Sequence, residues 1–319
     1  MTARAGGTDR AVPVVSRSRG GSPSLVVGLV LLGLVLGLAV VSLFWTPYGM
    51  DPPQPGSRLA APSAQHWAGT DRLGRDQFSL LMLGARTAVW IGLAAVAVAV
   101  AVGVPLGLLA AGGGRRIDSA VIGLIDVVIA FPTLLLAMLL VTGYGASSLV
   151  AIVAIGVGVS AEVARLTRIS ASRILTQDYV LAARTCGTGP LAILVRHVLP
   201  NIWHTLLVQV TLAFGIAVIA EASLSYLGLG TPPPTPSWGR MLQEAQSTVA
   251  VAPWNAILPG LAVSATVIGV NLLGDGLREV LDPELRRPRR GTATRPGRGR
   301  DRRRPGRPGR AAGHGEEIR

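Results

Sequence analysis

Long apolar runs separated by short charged stretches dominate this chain. A helix that crosses a bilayer needs about 20 predominantly apolar residues. Residues 24–45 form the first such run, after four N-terminal arginines, and end in Phe44-Trp45-Thr46-Pro47-Tyr48, an interfacial aromatic cluster. A cleaved secretory signal would have a shorter apolar core and a small-residue cleavage site, so a retained helix is expected. Residues 87–114 carry no charge and give a second span. Between Asp126 and Glu162 lie 35 uncharged residues, too many for one helix, and Gly143-Tyr144-Gly145 marks a turn that divides them into spans 120–142 and 147–167. Residues 201–220 give the fifth span; residues 254–274, starting beside Pro253 and holding Pro259 near their outer end, give the sixth. The pattern predicts an all-α polytopic membrane protein with six transmembrane helices.

Arginine placement predicts which ends face the cytoplasm, because cytoplasmic loops of membrane proteins are enriched in basic residues. With the N-terminus inside, the inner segments 1–23, 112–119, 168–200 (with boundary Arg165) and 275–319 hold 4, 2, 5 and 14 arginines. The outer segments hold Arg58, Arg72, Arg75 and Arg86 in one loop and Arg240 in another. Both termini are therefore expected in the cytoplasm.

One inner segment is too long to be a mere connection. Helix–helix connections usually run two to eight residues, yet 168–200 exceeds 30 and contains "DYVLAARTCGTGPLAILVRHVLP" over 178–200. Asp178 is expected to cap a short helix over 179–186 through its carboxylate. Ala182-Ala183 give that helix a small-residue face, and Gly187 ends it. Pro190 suits the first position of a second short helix, and Pro200 is expected to stop it. A short helix with a flat face, held at the membrane surface by two turns, is built to be gripped by another protein.

Composition narrows the function. Half of the 319 residues are hydrophobic, and all 30 basic residues are arginine. Without lysine there is no P-loop, so any ATP hydrolysis must come from another chain, and Schiff-base chemistry is excluded. The single cysteine, Cys186, excludes an intrachain disulfide and a multi-cysteine metal site. The four histidines (66, 197, 204 and 314) are scattered without metal-ligand spacing; no metal or cofactor is expected. The net charge of +13 resembles a nucleic-acid signal only until it is located. From Arg286 to Arg319 there are 13 arginines against Asp301, Glu316 and Glu317. This Pro- and Gly-rich tail lacks apolar periodicity, so it reads as disordered and cytoplasmic, touching anionic lipid headgroups rather than nucleic acid.

Four blocks carry a family resemblance. Ala182-Ala183, Gly187 and Leu199-Pro200 resemble the cytoplasmic "EAA" loop of ABC importer permeases. "GTDRLGRDQFS" (69–79), "DYVLAARTCG" with "RHVLPN", "AEASLSYLGLGTPPPTPSWGRML" (220–242) and "NLLGDGLREVLDPELR" (271–286) are similar, in order, to the C-type subunit of the dipeptide/oligopeptide/nickel permease family. The resemblance implies a type I-like transmembrane domain organised as a cytoplasmic tail 1–23, a first helix 24–45, an extracytoplasmic loop with an interfacial helix 46–86, a permease core 87–285 containing the coupling loop 168–200, and the tail 286–319. It implies a non-enzymatic importer half in the cell membrane. Its partners would be a homologous second permease, two cytoplasmic ABC ATPases and an extracytoplasmic solute-binding protein. Coupling to the ATPases would run through Asp178, Tyr179, Val180, Leu181, Ala182, Ala183, Arg184, Gly187, Leu199 and Pro200. Di- or oligopeptides are the expected substrate; nickel or another small solute is the alternative. The signature glutamate is Leu181 here. With Asp178 as cap, position 181 is where a glutamate would complete a capping box.

Other candidates follow from single residues. Asp126 lies inside the third span, where an ionisable group is expensive and functional by default, unless it sits near the cytoplasmic end and reaches water or Arg116. Pro132 is expected to kink the same span. Glu221, just past the fifth span, marks either the headgroup level or a gate. Asp126, Pro132, Ala217 and Glu221 are the gate candidates. Asp71, Arg72, Arg75 and Asp76 read as a mixed-charge solvated segment before the amphipathic "FSLLMLGA", with Asp71, Arg75 and Asp76 as candidate contacts for the binding protein. "GTPPPTPSW" (230–238) reads as a rigid outer cap. A stand-alone secondary transporter would show inverted repeats and intramembrane coupling residues, and a membrane enzyme would show a nucleophile–base set; neither pattern is visible.

Overall fold

The apolar runs become helices of unequal length in the computed structural model, which describes residues 23–49 and 57–281. The readings of the N-terminal tail and of the arginine-rich tail 286–319 lie outside the described residues. The helices are α1 (Pro23–Val41), α2 (Gln77–Gly112), α3 (Gly114–Ala130), α4 (Thr133–Tyr144), α5 (Ser148–Leu175), α6 (Asp178–Thr185), α7 (Pro190–Ile193), α8 (Leu199–Tyr226), α9 (Trp238–Ala245) and α10 (Trp254–Leu281). Among the described residues there is no strand beyond an isolated bridge between Thr70 and Asp76.

Five helices are long and apolar enough to span alone: α1, α2, α5, α8 with the turns ahead of it, and α10. The expected third span is instead the pair α3 and α4, bent by 85°. Its break falls at Phe131-Pro132. Phe131 is extended (φ −91°, ψ 125°) and Pro132 stands at the start of α4, as expected where a proline ring excludes its predecessor from the helical region. Pro132 thus breaks the span rather than kinking it. The pair still runs from one end of the molecule to the other. Gly112, just before α3, lies against Leu194 at one end, while Ser148, just after α4, shares a groove with Arg86, Thr231 and Pro236 at the opposite end.

The remaining boundaries shift for capping reasons. "FSLLMLGA" is not a separate interfacial helix: Asp76 accepts from the Ser79 backbone N–H at 2.8 Å and starts α2 ten residues earlier than expected. Residues 190–226 run on without a stop at Pro200, because a π turn over Leu194–Val198 joins α7 to α8. Leu199 N–H bonds to the carbonyl of Leu194, five residues back. In α-helical register the Pro200 ring would clash with the carbonyl of Arg196; the wider π turn relieves that clash.

The core is built from small residues, as in membrane helices, where packing replaces the hydrophobic drive of water. α2 packs chiefly on α5, and α1 on α10. Ala95 and Ala99 of α2, Ala154 and Ile155 of α5, and Ala213 and Ala217 of α8 are buried together. Gly103 and Gly107 let α2 and α5 approach: a Cβ at these positions would lie 2.6 Å from the Ser160 carbonyl oxygen and 2.5 Å from that of Ala164.

A cap closes one end. Ser237 starts α9 by accepting from Arg240 N–H at 3.3 Å. The fully buried Trp238 donates its indole N–H to the Leu81 carbonyl at 3.0 Å. The "GTPPPTPSW" segment is therefore anchored to α2 by its tryptophan.

Candidate coupling loop and buried polar sites

At the end opposite the cap, α6 stands on a small apolar core of its own. Val180 is fully buried with Ala171 and Leu175 of α5, Ile193 of α7, Val198 and Ile202, and Leu108 of α2 packs against them. One side chain of α6 thus seats it in a core shared with three spanning helices. The rest of the helix is largely open: Tyr179 and Leu181 are each 46% exposed, and Asp178, Ala182 and Arg184 are exposed as well. Ala183 is half-buried, so the outward small residue is Ala182. Tyr179 also leans on His197, with ring centroids 6.5 Å apart.

Both ends of α6 differ in instructive ways from the sequence reading. Gln177, not Asp178, occupies the cap position (φ −76°, ψ 145°), without a side-chain capping hydrogen bond, and Asp178 is the first helical residue. Its charge still suits the positive end of the helix dipole. Leu181 is consequently one position too far along for a capping box, and its N–H already bonds to the Gln177 carbonyl at 3.1 Å. A glutamate there would not cap this helix. The C-terminus behaves as expected: Gly187 has φ +84°. Thr188 N–H bonds to the Ala183 carbonyl at 3.1 Å and Gly187 N–H to the Arg184 carbonyl at 3.0 Å, the paired bonds of a Schellman ending. Pro190 begins α7 as expected. Leu199 and Pro200 lie in the first turn of α8, where Pro200 is exposed.

The gate candidates do not converge. Asp126 on α3 is half-exposed and pairs with Arg165 of α5, not with Arg116. Eight residues earlier, Asp118 pairs with Arg168, which donates from Nη2 at 2.7 Å. Pro132 sits where α4 meets α5; a Cβ at Gly158 would collide with Thr133. Ala217 is buried in the common core. Glu221, one turn further along α8, lies within that helix and is 1% exposed, so it is no headgroup marker. Its Oε1 accepts from Ser225 Oγ at 2.7 Å, while Oε2 has no partner.

At the cap end, Asp71 and Asp76 are buried rather than solvated. Asp71 accepts from the backbone N–H groups of Leu73 and Arg75, both at 2.8 Å, and from Arg75 Nε at 2.6 Å. Arg75 reaches on to Glu244 of α9 at 2.5 Å, and Glu244 also accepts from Arg240 at 3.1 Å. Asp76 accepts from Ser79 Oγ at 2.8 Å and contacts His66 Nδ1 at 3.0 Å. These carboxylates fix the loop to the start of α2 and to α9. The Arg75–Glu244 link joins positions 169 apart in sequence and carried no local signal. The Ser237 cap did carry one: a serine ahead of an amphipathic turn.

A bundle of small-residue spans, with a short exposed helix mounted on one end and a fastened cap on the other, is the form of a multi-pass transport permease. The family model described as "Binding-protein-dependent transport system inner membrane component" matches residues 103–287. The chain belongs to this family, and its transmembrane bundle is an ABC type I permease domain. It is 36% identical over 261 residues to the dipeptide transport system permease protein DppC of Alkalihalophilus pseudofirmus, covering 82% of this chain and 86% of that one. It is 39% identical to the di/tripeptide transport system permease protein DppC of Pseudomonas aeruginosa (81% and 88% covered). It is also 39% identical to the glutathione transport system permease protein GsiD of Pectobacterium atrosepticum (80% and 86% covered). The protein is thus the permease subunit of a binding-protein-dependent importer.

Proposed function

We propose that this permease imports short peptides, that both termini lie in the cytoplasm, and that separate ATPase chains drive it through residues 178–200. The observation that carries the coupling is α6: a helix whose Val180 is buried in a core shared with α2, α5 and α8 while Tyr179, Leu181 and Ala182 are exposed. Exposed apolar side chains at a membrane protein's aqueous end favour a protein partner. Force applied to that face reaches three spanning helices through one buried core. Nucleotide-driven closure of two ATPases would shift the bundle between inward- and outward-open states. Asp178, Tyr179, Leu181, Ala182, Ala183 and Arg184 form or flank the docking face, Gly187 sets its end, and Leu199-Pro200 pass the motion into α8.

Pairing with a second permease is supported by the flank of α3 and α5. A half-exposed Asp126–Arg165 pair on an apolar span is costly against lipid, so this flank faces a protein neighbour or the pathway. Glu221, Ala217 and Pro132 then serve packing and bending rather than direct contact with solute. The solute-binding protein docks at the cap end, where Arg72 is exposed beside the loop that Asp71, Arg75 and Asp76 hold in shape. The peptide substrate is supported by the names of the relatives.

Two experiments test this reading. A reporter fused at Thr231 is expected to score extracytoplasmic and one after Arg319 cytoplasmic; the reverse would overturn the orientation and the docking face with it. In cells lacking the chain, uptake of labelled di- and tripeptides is expected to fall to background and return on complementation. Unchanged peptide uptake with loss of another solute's uptake would reject the substrate class while leaving the permease role intact.

A further inference from the structure

A groove of about 760 Å³ runs between α1 and α2 at the cap end. Its walls are apolar, among them Leu36, Val40 and Leu43 of α1 and Trp90 and Leu93 of α2. Trp90 and Leu93 are 66% and 56% exposed, so the groove opens sideways rather than into the core. Two polar groups in its lining are left over. Arg86 is exposed and makes no ion pair among the described residues. Thr231 is 5% exposed, and its buried hydroxyl has no hydrogen-bond partner.

The depth of Arg86 in the membrane says what these groups meet. From Thr87 to Gly114 the chain carries no charge, a stretch that covers the roughly 30 Å of hydrocarbon. Arg86 therefore stands at the edge of the hydrocarbon, level with lipid phosphates. Trp90, one turn further in, and the exposed Phe44 and Trp45 at the end of α1 fit the aromatic belt at that same level. An apolar trough with a guanidinium and an unpaired hydroxyl at phosphate depth has the chemistry of a lipid seat, not of a water-filled pathway.

We propose that this groove binds one anionic phospholipid of the cap-side leaflet. An acyl chain lies along Leu36, Val40 and Leu93. The headgroup phosphate accepts from Arg86 and from the Thr231 hydroxyl. Thr231 belongs to the segment that leads into α9, so the bound headgroup joins the cap to α2. The proposal is independent of what solute the permease carries.

The test uses the complete transporter, purified with its partner chains. In native mass spectrometry after addition of phosphatidylglycerol, the wild type is expected to retain lipid. Arg86→Gln should lower that retention about five-fold, the worth of one arginine near a phosphate. Thr231→Val, which replaces the hydroxyl by a methyl group, should lower it in the same direction. Val40→Trp, which fills the trough and leaves Arg86 in place, should abolish it. In vesicles, phosphatidylglycerol brominated on its acyl chains is expected to quench a fluorescence component that disappears in Trp90→Phe, more strongly than brominated phosphatidylcholine does. No retained lipid in the wild type, or retention in Arg86→Gln and Thr231→Val equal to that of the wild type, overturns the proposal. So does an unquenched Trp90, the result that a protein neighbour covering the groove would give.

Discussion

Gly187→Val is expected to leave the protein in the membrane and to remove uptake and substrate-stimulated ATP hydrolysis together. Gly187 holds φ +84°, a conformation that costs an ordinary L-residue about 1–2 kcal/mol, and a β-branched one more. A Cβ at this position would meet nothing within 4 Å, so the effect is conformational and not steric. α6 has only eight residues, far too few to persist without its tertiary support and its caps. A loss of one or two kcal/mol changes the occupancy of the docked form by a factor of roughly 5–30. Gly187→Asn supplies the control, since asparagine tolerates the left-handed region; it should retain most of the transport. Ala182→Asp attacks the outward face instead, where a charge would stand in the partner's groove, and should also uncouple. Transport and ATPase activity of the reconstituted complex, measured after membrane abundance, check all three. Normal coupling in both Gly187→Val and Ala182→Asp would reduce 178–187 to a connector.

Whatever chain-local chemistry controls was legible in the sequence. Apolar runs longer than a bilayer gave the spans, and Gly187 and Pro190 gave the end of α6 and the start of α7, because each works through its own backbone. The errors came where a distant partner or a helix register decides. Pro200 reads as a stop, but a π turn absorbs its missing N–H and lets α8 continue. Asp178 reads as a cap, yet the chain enters the helix one residue earlier, at Gln177. The stretch "FSLLMLGA" reads as interfacial because its cover comes from distant parts of the chain: Leu80 and Ala85 pack with Val35 and Ala39 of α1, Val218 of α8 and Trp238, whose indole meets the Leu81 carbonyl 157 positions away.

The charged candidates show the same division. Asp71 and Asp76 look solvated when read beside Arg72 and Arg75, since a local count of charges carries no information about burial. In the fold, the Asp71 carboxylate is surrounded by donors from its own turn, and Asp76 by donors from its own turn together with His66, ten residues earlier. Asp126 was recognisable as costly, but its partner Arg165 becomes visible only once α3 lies against α5. Glu221 reads as lying just past a span because the hydropathic run stops there; the helix itself continues to Tyr226. Hydropathy reports composition, while the helix ends where backbone hydrogen bonds end.

The α2–α5 seam should be the least tolerant part of the molecule. Gly107→Leu is expected to remove most of the assembled protein from the membrane, in contrast to the coupling variants, which leave abundance unchanged. A Cβ at 107 would stand 2.5 Å from the Ala164 carbonyl oxygen and 2.6 Å from Thr167 Cβ. Neither is the yielding end of a flexible side chain, so the two helices must separate. Overpacking a tight interior costs roughly 1–3 kcal/mol where side chains can adjust, and here a backbone carbonyl is in the way. Separation of α2 from α5 also exposes Thr167, fully buried at present, and pulls Leu108 from the core under Val180. Gly33→Leu is the matching control: it adds the same side chain on α1, where a Cβ meets nothing within 4 Å, and should leave abundance unchanged. Quantitative immunoblotting of membranes, with thermal stability of the purified complex, separates the two cases. Equal abundance and equal melting for Gly107→Leu and Gly33→Leu would mean that close α2–α5 contact does not hold this bundle together.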